Sequence, residues 1–189
     1  MGALPERIPP GRIKLTYEDY EVLPDDGKRY EILDGELFVT PAPVPKHQDV
    51  SRNLVHILNN HVMERGLGRI YYAPIDVILA NTTIAQPDIL FIAKGRESII
   101  TERAVEGPPD LLVEIISPSS RRQDRVVKAA LYATFGVRHY WIADPVSRTL
   151  ETYELDGGGY RLAGTHEGAA RFRTALFPEL EIDLARVWV

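Results

Sequence analysis

The chain has 189 residues, 44% hydrophobic and 26% charged, with a formal net charge of -5 and no cysteine. That composition excludes disorder, collagen-like repeats and coiled coil, and a chain of this length buries roughly 70% of its unfolded surface. Without cysteine there is no disulfide, zinc finger, iron–sulfur cluster or cysteine nucleophile, and the acidic balance argues against a protein that coats nucleic acid non-specifically.

Residues 1–13 (MGALPERIPPGRI) are rich in proline and glycine and predict a flexible arm, with residues 14–189 forming one domain. The first thirty residues hold no apolar run like a signal-peptide core. No stretch of about 18 apolar residues occurs anywhere, so the expectation is a soluble, cytoplasmic protein that does not touch a membrane. Thr16 before Tyr17 to Leu23, with Asp19 three residues on, predicts a short capped helix. Lys28–Leu33 and Glu36–Thr40 flank Asp34-Gly35, a dipeptide that favours a tight hairpin. Pro41, Pro43 and Pro45 make an extended connection.

From His47 to Glu64, Val50, Leu54, Ile57, Leu58 and Val62 recur at helical spacing, and Gly66 is a natural stop. Three strands are expected next: Tyr71–Ala80, Gln86–Ala93 and the apolar run Asp110–Ser117. A second helix is expected over about Arg121–Phe135, then a strand at Arg138–Ala143 and a peripheral hairpin at Leu150–Leu155 and Tyr160–Thr165. Pro178–Val189 predicts a final short strand or turn. The order is that of an α/β (α+β) protein, a mixed sheet flanked by helices.

Two acidic residues interrupt runs that otherwise read as core. Asp88 shares a strand face with Leu90 and Ile92, and Glu114 shares one with Leu112 and Ile116. A charge there is costly unless paired or metal-bound. On neighbouring strands the two carboxylates would repel unless a cation lay between them, and hard oxygen donors favour Mg²⁺ or Mn²⁺. Each residue alone has an ordinary explanation, a turn after proline for Asp88 and an exposed edge for Glu114. Together, in successive apolar strands, they point to a site.

Pro87-Asp88 followed by Glu114 in a buried strand resembles the PD-(D/E)XK nuclease superfamily. More closely, LTYEDYEVLPDDGKRYEILDGEL (residues 15–37), APIDVIL, QPDILF, PPDLLVEIISPSS and KAALYATFGVRHYWIADP together resemble the Uma-type restriction endonuclease family over about residues 15–155. The resemblance implies a restriction-endonuclease-like αβββαβ core, to which the N-terminal and C-terminal hairpins would be additions. It implies Asp88 and Glu114 as ligands of Mg²⁺ (or Mn²⁺), and Glu31 as a third acid from the early hairpin. The lysine expected two residues after the glutamate is Ile116 here; Lys128, on the following helix, matches the position from which variants supply it.

Asp124, Lys128 and Tyr132 lie at four-residue steps on one helix face, apart from Val127, Leu131 and Phe135. The plain alternative is a surface Asp–Lys pair worth about a few tenths of a kcal/mol. Arg121, Arg122 and Arg125 with Lys128 form the only dense basic patch, either a phosphate contact at a helix start or a solvated helix face. His47 could reach the site from the start of its helix, and Asp76 either supports the site or faces solvent. Tyr140 and Trp141 read as core.

The leading expectation is a divalent-metal-dependent endonuclease acting on DNA, with a metal-bound water as nucleophile and Lys128 orienting it or neutralising phosphate charge. A homodimer would suit the cutting of both strands. The alternatives are a degenerate nuclease-like fold that binds nucleic acid or protein, favoured by Ile116 and the acidic charge, and a carboxylate-pair glycoside hydrolase.

Overall fold

The computed structural model describes residues 13–188. Apart from Ile13, the predicted N-terminal arm lies outside the described residues.

Thr16 opens α1 (Tyr17–Glu21), its N–H and hydroxyl donating to Asp19 Oδ2 at 2.8 and 3.0 Å. β1 (Arg29–Leu33) and β2 (Glu36–Thr40) meet at Asp34-Gly35, whose φ angles of 50° and 82° are those of a primed two-residue turn. α2 (Pro45–Arg65) begins with proline in its first turn and ends at Gly66, in the left-handed conformation.

Tyr71–Ala80, expected as one strand, is two: β3 (Gly68–Tyr72) and β4 (Val77–Ala80). Pro74, which has no N–H for a ladder, lies in the break. Gln86–Ala93 is likewise shorter than expected. β5 (Thr83–Ala85) ends before it, Gln86-Pro87-Asp88 crosses over, and β6 (Ile89–Ala93) follows. β7 (Val105–Glu106) and β8 (Leu111–Ile115) come next. A π-helical segment, Gln123–Lys128, runs directly into α3 (Ala129–Thr134). The chain finishes with β9 (His139–Asp144), β10 (Thr149–Asp156), β11 (Gly159–Glu167), β12 (Arg171–Phe172) and β13 (Ile182–Asp183).

The main sheet has the order β11-β10-β9-β8-β6-β3, with β8 and β9 parallel and the other neighbours antiparallel. Taken as α2, β3, β6, β8, α3, β9, the elements give the αβββαβ order. The N-terminal hairpin is more than an addition. It joins β5, β4 and β7 in a second sheet of order β2-β1-β5-β4-β7. The C-terminal hairpin β10–β11 extends the main sheet at its edge.

Strand alternation splits the core in two. Ile89, Phe91, Leu111, Val113 and Trp141 pack against Val50, Leu54, Leu58 and Val62 of α2. Leu90, Ile92, Leu112, Ile116 and Ile142 pack instead with Tyr132, Val137 and with Leu33, Val77 and Val105 of the second sheet. Each fully buried aliphatic side chain contributes about 1.5–3 kcal/mol, so both faces are strongly specified. At Gly68, φ is 145° and a Cβ would stand 2.1 Å from the Ile92 carbonyl oxygen, which only glycine permits. Among the described residues no helix is long and apolar enough to cross a membrane.

Candidate active site

The pairing of β6 with β8 sets the site. Ile89 lies opposite Val113, and one step further along this antiparallel register Asp88 comes opposite Glu114. The Ile115 N–H locks the arrangement by donating to Asp88 Oδ2 at 2.8 Å. Both acids are buried, with relative exposures of 4% and 2%, on the face packed toward the second sheet.

Asp88 has two further partners. Arg29 Nη1 lies 3.3 Å from Oδ1, and His47 Nε2 lies 3.1 Å from Oδ2. Burial alone would raise the Asp88 carboxyl, but His47, Arg29 and the Ile115 N–H outweigh it and hold the group below the usual carboxylate range.

Glu114 has the opposite environment. Lys128 Nζ at 3.0 Å and the Tyr132 hydroxyl at 2.8 Å both bond to Oε1, and Oε2 receives neither. Burial, with repulsion from Asp124, Asp88 and Glu31, pushes Glu114 well above the usual range despite Lys128. It is a carboxyl group short of positive charge.

Lys128 is no surface residue. At 3% exposure its Nζ lies 2.9 Å from Glu31, 3.0 Å from Glu114 and 3.6 Å from Asp124. Burial alone would lower its pKa, but Glu114, Glu31 and Asp124 carry it well above the usual lysine value. It therefore stays protonated. The surface-pair alternative fails because the line of Asp124, Lys128 and Tyr132 faces inward and all three are buried. Local helix geometry contributes. The Ala129 N–H reaches back five residues to the Asp124 carbonyl, which also accepts the Tyr140 hydroxyl at 3.0 Å, and such π turns recur at functional sites.

Glu31, on β1, enters from the second sheet. Its Oε1 accepts the Gln86 N–H at 2.8 Å and its Oε2 lies 3.4 Å from Gln123 Nε2. Glu31, Asp88, Glu114, Lys128 and His47 line one cavity of about 240 Å³, walled by Val39–Val44 on one side and by Ser117, Ser119, Ser120 and Gln123 on the other.

The remaining sequence candidates divide. Arg121 is held by Asp144 at 2.8 Å and Arg125 by Glu151 at 2.5 Å, so two of the three patch arginines are already neutralised; Arg122 is exposed. Asp76 accepts the Tyr20 hydroxyl at 2.7 Å and Gln86 Nε2 at 2.8 Å, bracing the segment that carries Asp88. Tyr140 and Trp141 are core. Sequence reasoning passed over Arg29, although it stands two residues before Glu31 and strand alternation puts both on one face.

Whether these donors suit a divalent cation is a question of chemistry and number. Among the described residues no three His, Asp or Glu side chains are gathered closely enough in this arrangement to hold an ion. Two facing carboxylates with hard oxygens still fit Mg²⁺, which typically takes one or two carboxylates and completes its shell with water and phosphate oxygens.

The fold is of the restriction-endonuclease-like class. The chain belongs to the Uma2 family, described as "Putative restriction endonuclease", whose model matches residues 17–185. A crystal structure of "a putative nuclease belonging to DUF820" from Anabaena variabilis has a similar fold. It matches with a TM-score of 0.74 and 19% identity over 92% of this chain and 97% of that one. No curated protein matches.

Proposed function

We propose that this chain is a divalent-metal-dependent endonuclease that hydrolyses phosphodiester bonds in DNA. The observation that supports it is the facing of Asp88 and Glu114 across the β6–β8 pair, with a protonated lysine 3.0 Å from Glu114. Asp88 and Glu114 would hold Mg²⁺ or Mn²⁺. When bound, such a cation supplies Lewis-acid charge at a phosphate oxygen and lowers the pKa of water.

The other groups have distinct tasks. Lys128 keeps its proton, so it acts as a fixed positive charge where phosphate charge builds, and not as a base. Glu31 and Asp124 hold that ammonium in place, and Tyr132 fixes the Glu114 rotamer by bonding Oε1. A homodimer in the cytoplasm is the form we expect to cut duplex DNA, since paired strands call for paired sites.

Incubating the protein with supercoiled plasmid and Mg²⁺ or Mn²⁺ should give nicked or linear DNA, and Glu114→Gln should give none. Intact plasmid and oligonucleotides across all metals would refute the proposal. The second reading, a degenerate binding module, draws on Ile116 in the lysine position and on the missing third donor. Mn²⁺ titration separates the two, because a degenerate fold shows no binding that Asp88→Asn removes.

A further inference from the structure

Arg29 is less committed than Lys128, the other permanent cation of the cavity. Charge-assisted N–H···O bonds usually span about 2.7–2.9 Å, whereas Arg29 Nη1 stands 3.3 Å from Asp88 Oδ1. Its Nη2 donates to the Gln86 carbonyl, and its Nε–H is buried with no partner. A guanidinium has five donors, and much of this one is unspent. Lys128 is the contrast, with its single ammonium already shared among Glu31, Glu114 and Asp124.

The oxygens of Asp88 also tell against Arg29 as a permanent partner. Arg29 and His47 hold the atoms that a divalent cation would need. A cation on Asp88 would take up the negative charge that Arg29 Nη1 now faces across a long 3.3 Å contact. The guanidinium then stays beside the cavity, anchored through Gln86, with its charge unpaired. Four carboxyl groups (Glu31, Asp88, Glu114 and Asp124) line that cavity. A phosphodiester entering it needs a cation that those acids have not claimed. Arg29 keeps its charge at every accessible pH, and its planar fork matches two phosphate oxygens.

We propose that Arg29 is a catalytic residue of the hydrolysis put forward above, leaving Asp88 to grip the non-bridging oxygens of the scissile phosphate. The inference rests on that nuclease reading. In the reaction the oxygen of water bonds to phosphorus and one phosphorus–sugar oxygen bond breaks. One proton of the water goes to the departing sugar oxygen and the other to solvent. Arg29 gives up no proton and only balances charge.

The test uses Arg29→Met, which keeps the stem and removes the charge, and Arg29→Lys, which restores a charge without the fork. Three quantities are measured: Mn²⁺ affinity, binding of a short single-stranded oligonucleotide in the presence of Ca²⁺, and plasmid cleavage. The expected result has opposite signs. Arg29→Met binds Mn²⁺ as tightly as the wild type or more tightly, since a competitor for Asp88 is gone. It loses oligonucleotide affinity, and it cleaves about a hundredfold more slowly or worse, the scale for losing a preorganised donor to a transition-state oxyanion. Arg29→Lys recovers part of the cleavage.

Unchanged cleavage and unchanged oligonucleotide binding in a folded Arg29→Met would overturn the proposal. So would a loss of Mn²⁺ binding in that variant, which would make Arg29 a support for Asp88. A variant too unstable to assay passes the test to Arg29→Lys, where oligonucleotide binding and cleavage equal to wild type count as refutation. If the wild type cleaves nothing, the nuclease reading fails by itself. The Ca²⁺-dependent oligonucleotide arm still decides whether Arg29 holds phosphate.

Discussion

Lys128→Met removes the charge that three buried carboxyl groups share while keeping the length of the stem. Lys128 is 3% exposed, and Glu31, Glu114 and Asp124 all lie within 3.6 Å of its Nζ. Breaking a buried ion pair by deleting one partner costs about 3–5 kcal/mol. A chain of this size loses about 2–4 °C of Tm per kcal/mol, so the melting temperature at pH 7.5 should fall by roughly 6–20 °C. The deficit has a signed pH dependence. Glu114 and Asp124 are already raised by burial, and without the ammonium they rise further above their unfolded values of about 4.3 and 3.9. A folded pKa above the unfolded one means stability is lost as pH rises. The gap between variant and wild type should therefore be widest at neutral pH and narrow toward pH 4. Calorimetry and urea titration at both pH values measure it, with cleavage expected to drop about a hundredfold and Mn²⁺ binding to change little. A Tm loss below about 2 °C at pH 7.5, or a gap that widens in acid, would refute the reasoning.

Glu114→Gln should abolish cleavage yet leave Tm at or above that of the wild type, because Lys128 keeps Glu31 and Asp124 while a crowded acid is neutralised; a large loss of stability would show that Glu114 is a structural partner. Asp88→Asn should behave differently: it weakens the contacts to Arg29 and His47, should cost about 1–3 kcal/mol in urea unfolding, and should eliminate Mn²⁺ binding. Tyr132→Phe, which removes the 2.8 Å bond to Glu114, should lower stability by about 1 kcal/mol and slow cleavage without changing Mn²⁺ stoichiometry. Burial lowers His61, His139 and His166, so their neutral forms favour the fold and their contribution to stability should fall as pH drops below about 6.5, against the opposite trend of Glu114 and Asp124; a His139→Gln variant whose urea midpoint follows the wild-type pH dependence between pH 7.5 and 5.5 would contradict this.

The acids were legible because they break patterns. Asp88 and Glu114 stand where alternation calls for aliphatic residues, and Asp34-Gly35 announces its turn from two residues alone. The division of residues 71–80 between two sheets was not legible, since Tyr71, Ile75, Val77 and Leu79 keep one alternation across the break between Tyr72 and Val77. The inward face of the second helix was hidden for a different reason. Hydrophobicity points Val127 and Leu131 inward, yet the charged line of Asp124 and Lys128 is more deeply buried because acids from β1 and β8 receive it. The ion pairs of the basic patch were hidden in the same way. The partners of Arg121 and Arg125 lie 23 and 26 residues away, beyond what local spacing reveals.

Gln86-Pro87-Asp88 is all the chain that separates β5, in one sheet, from β6, in the other. Within those three residues the Gln86 N–H holds Glu31, the Gln86 carbonyl holds Arg29, and Asp88 faces Glu114. The splice therefore acts as a ruler between the two sheets. An insertion at the β10–β11 tip, between Asp156 and Gly159, would lengthen an exposed hairpin and leave that spacing alone. One extra residue between Gln86 and Asp88 would shift every distance in the site at once. Natural length variation in proteins built this way should accumulate at the hairpin tip and be purged from the splice.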